Sequence, residues 1–291
     1  MRRRAVFFVN RSARRGAEKI AEAAQRLTGL GFELHEESTY NAQHLQQKIR
    51  EHRDAVDVVI IGGGDGTLNG AVDALVETDL PLGILPLGTA NDLAATLGLP
   101  TAVSQACEVI AAGCTRRIDV GRVNDKHFLN EAGLGLSARL ARRLTQKGKG
   151  IWGTFAVGAS ACKVLSQAKP FAAEVRYQGK VLHVETMHLM VGNGRNFGGW
   201  ITNREASIDD RMLDLYSFEI KQWSDTLAMG AALIKGRYAD CPAVRLLHGP
   251  QFEISTASPR AIDTDGELTT RTPALFCVVP HALSVFVPAA P

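Results

Sequence analysis

Between Asp57 and Gly70 the chain reads DVVIIGGGDGTLNG, an apolar run of Val58, Val59, Ile60 and Ile61 that stops at three consecutive glycines and an aspartate. A run of this kind is a buried strand, and it ends here in a polar turn. Beyond the glycines, Leu68, Ala71, Val72, Leu75 and Val76 recur at helical spacing. The stretch is therefore strand, glycine turn, helix, an arrangement that presents free backbone N–H groups to a phosphate. It lacks the Lys and Ser/Thr of a GxxxxGKS/T loop, and Asn69 stands where GxGxxG requires its third glycine, so neither common nucleotide fingerprint is present. A tight strand-to-helix connection alone does not call for three glycines followed by Asp-Gly-Thr. Asp65 repels phosphate, so its place in the loop points to a Mg²⁺-bound water or an incoming hydroxyl as its partner.

The rest of the chain extends this unit. Ala5 to Val9 reads as a strand, Gly16 to Leu30 as a helix, Phe32 to Glu37 as a strand and Gln43 to His52 as a polar helix. Pro81 to Leu85 gives the next strand, and the turn Pro86-Leu87-Gly88-Thr89 leads into a helix over Ala90 to Leu97. Strands alternating with helices through residue 112 predict a doubly wound parallel sheet, whose ligands sit beyond the carboxyl ends of the strands. Polar turns begin at three such ends, at Asn10, Gly62 and Gly88. After Arg116, Ile118 to Val123 and Lys126 to Gly133 read as paired strands joined at Asn124-Asp125. Strand-like runs follow at Ala172 to Tyr177, Val181 to Val191, Met212 to Ile220, Phe252 to Thr256 and Leu275 to Val279, with helices near 137–146, 151–166 and 223–235. The expected division is an α/β domain over 1–120, rejoined by a last strand within 281–291, and a mostly antiparallel β domain over 121–280.

Composition narrows the function classes. The 291 residues suffice for two domains, and a net charge of +3 is too small to imply a nucleic-acid partner. Six arginines among the first fifteen residues (Arg2, Arg3, Arg4, Arg11, Arg14, Arg15) read as a solvated face. The five cysteines form no CxxC pair, which suggests neither a zinc cage nor a disulfide framework and fits a reducing cytoplasm. The eight histidines show no ligand spacing. The stretch Ile151 to Leu165 contains Ser160, Cys162 and Lys163 and is shorter than the roughly 20 residues that span a bilayer, so membrane contact is expected to be peripheral. Arg142, Arg143 and Lys147, beside Leu136, Leu140 and Leu144, read as a solvated helix face, with contact to anionic lipid as the alternative.

GGGDGTLN at 62–69 together with PLGTANDLA at 86–94 resembles the diacylglycerol kinase catalytic superfamily, specifically the bacterial YegS-type lipid kinases. Further matches in the same order are Asp119-Val120-Gly121, Phe128-Leu129-Asn130, Gly133 and Gly135, Gly192-Asn193-Gly194, Ala206 to Leu213, and Asp265-Gly266-Glu267. The resemblance implies a phosphofructokinase- or NAD-kinase-like doubly wound α/β domain, a C-terminal antiparallel β-sandwich domain, and an ATP site in the cleft between them. It places ATP contacts on Thr39, on Gly64, Asp65, Gly66, Thr67, Leu68, Asn69 and Gly70, and on Thr89, with Asn10 bordering them. For Thr39, the sequence alone favours a helix N-cap. Glu267 is implied as the general base, although an Asp-Gly pair between strands is ordinarily a hairpin turn. Ser207, Asp210 and Met212 match the family's metal segment for Mg²⁺, with Ca²⁺ as its substitute. Arg211 departs from the family's glycine at a point where a positive φ is usual. Other departures are Arg11 for proline and Gly70 for glutamate.

The expected activity is an ATP- and Mg²⁺-dependent lipid kinase of the cytoplasm, peripheral to the inner face of the membrane. Its acceptor would be diacylglycerol, phosphatidylglycerol or a sphingoid base, and it would have no nucleic-acid partner; oligomeric state is left open. An NAD kinase shares a GGDGT loop and an Asn-Glu pair that Asn130-Glu131 imitates, but PLGTAND and the late Asp-Gly-Glu argue against it. A nucleotide- or lipid-binding regulator without turnover is the third reading, and it has no need of both Asp65 and Glu267.

Overall fold

The computed structural model describes residues 3–10, 17–135, 169–197, 201–202, 206–220, 225 and 241–289. The helices expected near 137–146 and 151–166, all of the one near 223–235 but Asp225, and the basic stretch around Arg142 lie outside the described residues. The chain divides into two compact units, 1–120 with 280–291 and 121–279.

In the first unit, strands β1 (Arg3–Asn10), β2 (Phe32–Thr39), β3 (Val58–Gly63) and β4 (Leu82–Pro86) lie parallel in the order β2-β1-β3-β4. The end of the long strand β18 (Ala274–Phe286) joins β4 in parallel, Val285 opposite Leu82. Alternation decides which residues go to which face. Ala5, Phe7, Val9, Val58 and Ile60 pack with Ala23 and Leu27 of α1 (Ala17–Gly29) and with Ala106, Cys107 and Ile110 of α5 (Val103–Ala112). Val6, Phe8, Val59 and Ile61 are equally buried, which is why the central strands read as continuous apolar runs. Burial of each such large side chain contributes about 1.5–3 kcal/mol. Helices α2 (Ala42–Glu51) and α3 (Asp65–Thr78) meet where the Gly70 carbonyl accepts from Gln46 Nε2 at 2.9 Å.

The second unit is an antiparallel β-sandwich. One sheet runs β14 (Val244–Gly249), β13 (Leu213–Phe218), β10 (Leu189–Gly192), β7 (Glu131–Leu134), β16 (Ala261–Thr264) and β17 (Glu267–Arg271). The facing strands are β9 (Lys180–Thr186), β8 (Phe171–Tyr177), β15 (Gln251–Thr256) and the first half of β18. Leu134, Leu189, Val191, Leu213, Leu215 and Ile262 meet Val175, Val184, Phe252, Ile254 and Phe276 in one core. No helix among the described residues is long and apolar enough to cross a membrane.

Two expected strands are broken. The run Lys126 to Gly133 divides into β6 (Lys126–Phe128), which pairs with β5 (Thr115–Val123), and β7, which belongs to the other sheet. Leu129-Asn130 turns between them because a distant carboxylate, described below, takes their N–H groups. The run Val181 to Val191 divides at Met187-His188 into β9 and β10. The His188 ring packs against Phe218 with centroids 5.8 Å apart, over Gly133, where an added Cβ would fall 3.0 Å from the imidazole.

Burial pushes the His188 pKa down to about 4, against a hydrogen bond with the Leu134 backbone that pulls it up. The unfolded chain, with an ordinary value of 6.5, then binds the proton more readily than the fold. Stability contributed by this residue is whole above 6.5 and falls as pH drops toward about 4. His188→Gln is expected to flatten that part of the acid slope, measured by chemical denaturation at stepped pH.

Candidate active site

The glycine turn carries the N-terminus of α3. Gly64 is the N-cap of α3 in an extended conformation (φ −106, ψ −175), and with no side chain it supplies no side-chain cap. Its carbonyl accepts from the N–H groups of Thr67 at 2.9 Å and Leu68 at 3.1 Å. The N–H groups of Asp65 and Gly66 lie earlier in the first turn, where a helix offers no internal acceptor. Beside Gly66 there is open space for a group the size of a Cβ and more.

The PLGTAND turn is fastened to this one. An added Cβ on Gly88 would fall 2.4 Å from Gly64 Cα, and one on Gly64 would fall 2.9 Å from Gly88 Cα, so the two turns touch backbone to backbone. The Leu87 N–H donates to the Gly63 carbonyl at 3.0 Å. Asn91 closes its own turn, its Oδ1 accepting from Gly88 N–H at 3.0 Å and its Nδ2 donating to the Gly88 carbonyl at 3.1 Å. It does so from the left-handed region, φ 56, which asparagine enters more readily than most residues. Asp65 Oδ1 accepts from the Leu93 N–H of α4 (Asp92–Thr96) at 3.3 Å. Gly88→Ala is expected to push the turns apart and lower stability by about 1–3 kcal/mol, read as a shift in denaturation midpoint.

The expected ATP contacts divide by exposure. Gly66 and Thr89 are exposed, Gly64, Asp65 and Thr67 are half-buried, and Leu68, Asn69 and Gly70 are buried. Leu68 is in the core, and Gly70 sits against Ala42 of α2, where an added Cβ would meet the Ala42 Cβ at 3.1 Å. Thr39 is buried at the end of β2, opposite Asn10 of β1. It is not the helix cap, because Asn41 caps α2 by accepting from His44 N–H at 2.8 Å.

In the second unit, Asp265 draws three separated motifs together. Its Oδ1 accepts from Asn130 N–H at 3.0 Å and Glu131 N–H at 2.9 Å, and its Oδ2 accepts from Leu129 N–H at 2.9 Å. The Asp265 N–H returns a bond to the Glu131 carbonyl at 2.8 Å. Asn193 donates from its backbone to the Asn130 carbonyl at 2.8 Å and from Nδ2 to the Leu129 carbonyl at 3.0 Å. Asp265 and Gly266 both have positive φ, 46 and 90, as a tight two-residue hairpin requires. The turn sets Glu267 opposite Thr264 at the start of β17, exposed on the edge strand. Sequence reasoning gave Asp265 no role of its own. Its signal is an aspartate at the first position of an Asp-Gly hairpin turn, preceded by the buried Asp263 and Thr264.

Asp265→Ala leaves three N–H groups without an acceptor. At about 1–3 kcal/mol for each buried unsatisfied group, a loss of about 3 kcal/mol or more is expected. Denaturation followed by a probe in the second unit measures it.

The segment Ser207 to Met212 forms a loop held by its own side chains. Ser207 Oγ donates to Asp209 Oδ1 at 2.6 Å, and Asp210 Oδ1 accepts from Met212 N–H at 3.0 Å. Arg211 adopts φ 63, so the left-handed turn is retained without glycine. Desolvation raises the Asp210 pKa, opposed by the Met212 and Ser207 N–H groups and by His248, with Asp214 adding to the rise. A carboxylate held there gains from a counter-charge. The hydroxyl, carboxylate and carbonyl oxygens of this loop are the donor class that Mg²⁺ and Ca²⁺ take, and in that respect the residues fit the expected ion.

Comparison with known proteins places these motifs. A family model described as diacylglycerol kinase catalytic domain matches residues 4–123, and one described as YegS C-terminal NAD kinase beta sandwich-like domain matches residues 131–287. The chain belongs to the YegS-type diacylglycerol kinase family. A diacylglycerol kinase of Bacillus subtilis strain 168 is 26% identical over 99% of this chain and 97% of its own length. One from Staphylococcus aureus strain Newman is 28% identical over 99% and 93%. The crystal structure of a diacylglycerol kinase from Bacillus anthracis superposes with a TM-score of 0.81 at 25% identity, covering 98% of this chain and 97% of that one. Membership in this family supports a kinase with ATP as co-substrate.

Proposed function

We propose that this chain is an ATP- and Mg²⁺-dependent lipid kinase that moves the γ-phosphoryl group of ATP to a lipid hydroxyl, with Glu267 as general base. The observation that carries the reading is the α3 N-terminus, stripped of a side-chain cap and fastened to the PLGTAND turn, in a chain covered end to end by kinase relatives. The N–H groups of Asp65 and Gly66 and the hydroxyls of Thr67, Thr89 and Thr39 donate to phosphate oxygens. Each such bond to a charged group contributes about 1.5–3 kcal/mol. Leu68, Asn69 and Gly70 hold the first turn of α3 in place from beneath, and Asp65 orients water at the phosphate end.

The lipid hydroxyl oxygen attacks the γ-phosphorus while its proton passes to the Glu267 carboxylate. The bond from that phosphorus to the β,γ-bridging oxygen breaks and ADP leaves. When bound with ATP, Mg²⁺ supplies charge neutralisation on the phosphate oxygens. Ser207, Asp210 and Met212 would hold a further Mg²⁺, or Ca²⁺, that supports their loop.

The named activity of the relatives, diacylglycerol kinase, supports a lipid acceptor over NAD. Diacylglycerol, phosphatidylglycerol and sphingoid bases all carry the required hydroxyl on an apolar body. The enzyme would reach them as a peripheral protein at the cytoplasmic face of the membrane. In phosphoryl-transfer assays with vesicles of each lipid, and NAD as competing acceptor, Glu267→Gln is expected to lower kcat by about 10²- to 10⁴-fold and to leave ATP affinity in place. Transfer to NAD but to no lipid overturns the acceptor class. ATP binding without transfer to any acceptor points instead to a regulator.

A further inference from the structure

Away from the glycine turn, the first unit brings together two imidazoles and a carboxylate. His35 and Glu37 are two residues apart on the edge strand β2 and therefore share a face. His52 is the C-cap of α2, with φ −87 and ψ 0. Its Nε2 lies 2.7 Å from Glu37 Oε2, and His35 Nε2 lies 3.6 Å from the same oxygen. The three atoms all fall within 4.8 Å of one another.

We propose that His35, Glu37 and His52 form a binding site for a divalent transition metal of the Zn²⁺ class, clamping β2 to the end of α2. Zinc bonds to nitrogen and oxygen of about 2.0–2.1 Å in a tetrahedron put neighbouring ligand atoms roughly 3.3 Å apart. The observed 2.7 and 3.6 Å lie on either side of that spacing, and the two imidazole nitrogens lie within 4.8 Å of each other. Two imidazoles with one carboxylate select zinc-like ions over Mg²⁺ and Ca²⁺, which take oxygen. The fourth position is open to water, since the His35 side chain is 63% exposed while those of Glu37 and His52 are 16% and 18% exposed.

The surroundings orient the ligands. Lys48 Nζ holds Glu37 Oε1 at 2.9 Å and is itself held by Glu51 Oε2 at 2.9 Å, so Oε2 is the oxygen turned toward the two rings. The His52 ring stands edge-on to Phe8 at 6.2 Å between centroids. Supports of this kind fix the direction of a ligating carboxylate or imidazole. The alternative for the same geometry is the direct hydrogen bond between His52 Nε2 and Glu37 Oε2 with no metal, and metal titration separates the two.

The full chain, stripped of metal by chelation and dialysis, is titrated at neutral pH with Zn²⁺ by calorimetry and with Co²⁺ by visible absorption. One equivalent of Zn²⁺ is expected, with a raised melting temperature. The Co²⁺ spectrum should be that of a tetrahedral ion without a thiolate charge-transfer band. Glu37→Gln and the double variant His35→Ala with His52→Ala should each lose affinity by about tenfold or more while keeping the far-ultraviolet circular dichroism of the parent. No Zn²⁺ binding by the parent, unchanged binding by the double variant, or a thiolate band each overturns the proposal. The spectrum of the parent decides even if a variant fails to fold, and none of these readouts uses kinase activity.

Discussion

The architecture of the first unit turns on one contact, in which the backbones of Gly64 and Gly88 meet with no side chain between them. Adjacent parallel strands lie about 4.8 Å apart, so the turns that leave β3 and β4 begin as neighbours. With side chains at these two positions they would be forced apart, and α3 and α4 would aim their N-termini at different places. Two glycines let them merge, and the bond from Asp65 to Leu93 then sets one helix start against the next. The close seating of the two helix starts follows from the removal of bulk.

The second unit solves a similar problem by the opposite means. Residues 128–131, 192–194 and 265–267 are far apart in sequence, and a single buried carboxylate gathers the first and last while Asn193 ties in the second. Asp265 is therefore the member of its triplet that holds shape, while Glu267 stands exposed on the edge strand. The two carboxylates are two residues apart and differ in environment because a tight turn buries one and exposes the other.

What could be read in advance followed the range of the interactions. The parallel sheet and helices of the first unit and the family were legible because strand apolarity, helical spacing and the glycine turns are local, and the linked motifs are specific. The breaks at Leu129-Asn130 and at Met187-His188 were not, since the apolar pattern runs on while hydrogen bonds from residues beyond 260 or packing around His188 decide the turn. Thr39 looked like a cap because it precedes a polar helix, whereas Asn41 is closer to the first turn and has the better acceptor. The absence of ligand spacing among the histidines was a correct reading of the sequence and a poor guide to space. His35 and His52 meet only because α2 runs back along β2. Arg211 shows the converse, a residue that looks wrong for a left-handed turn and adopts it all the same.

The chain leaves the first unit at Val120 and returns at Pro280, so the sandwich is an insertion within the α/β fold. During synthesis β4 emerges long before the segment of β18 that will lie against it. For that interval the ribosome-bound chain carries a strand of five buried residues with one hydrogen-bonding edge uncovered, the kind of edge that recruits foreign strands. The first unit therefore completes its sheet only with residues that follow the whole of the second unit in the chain.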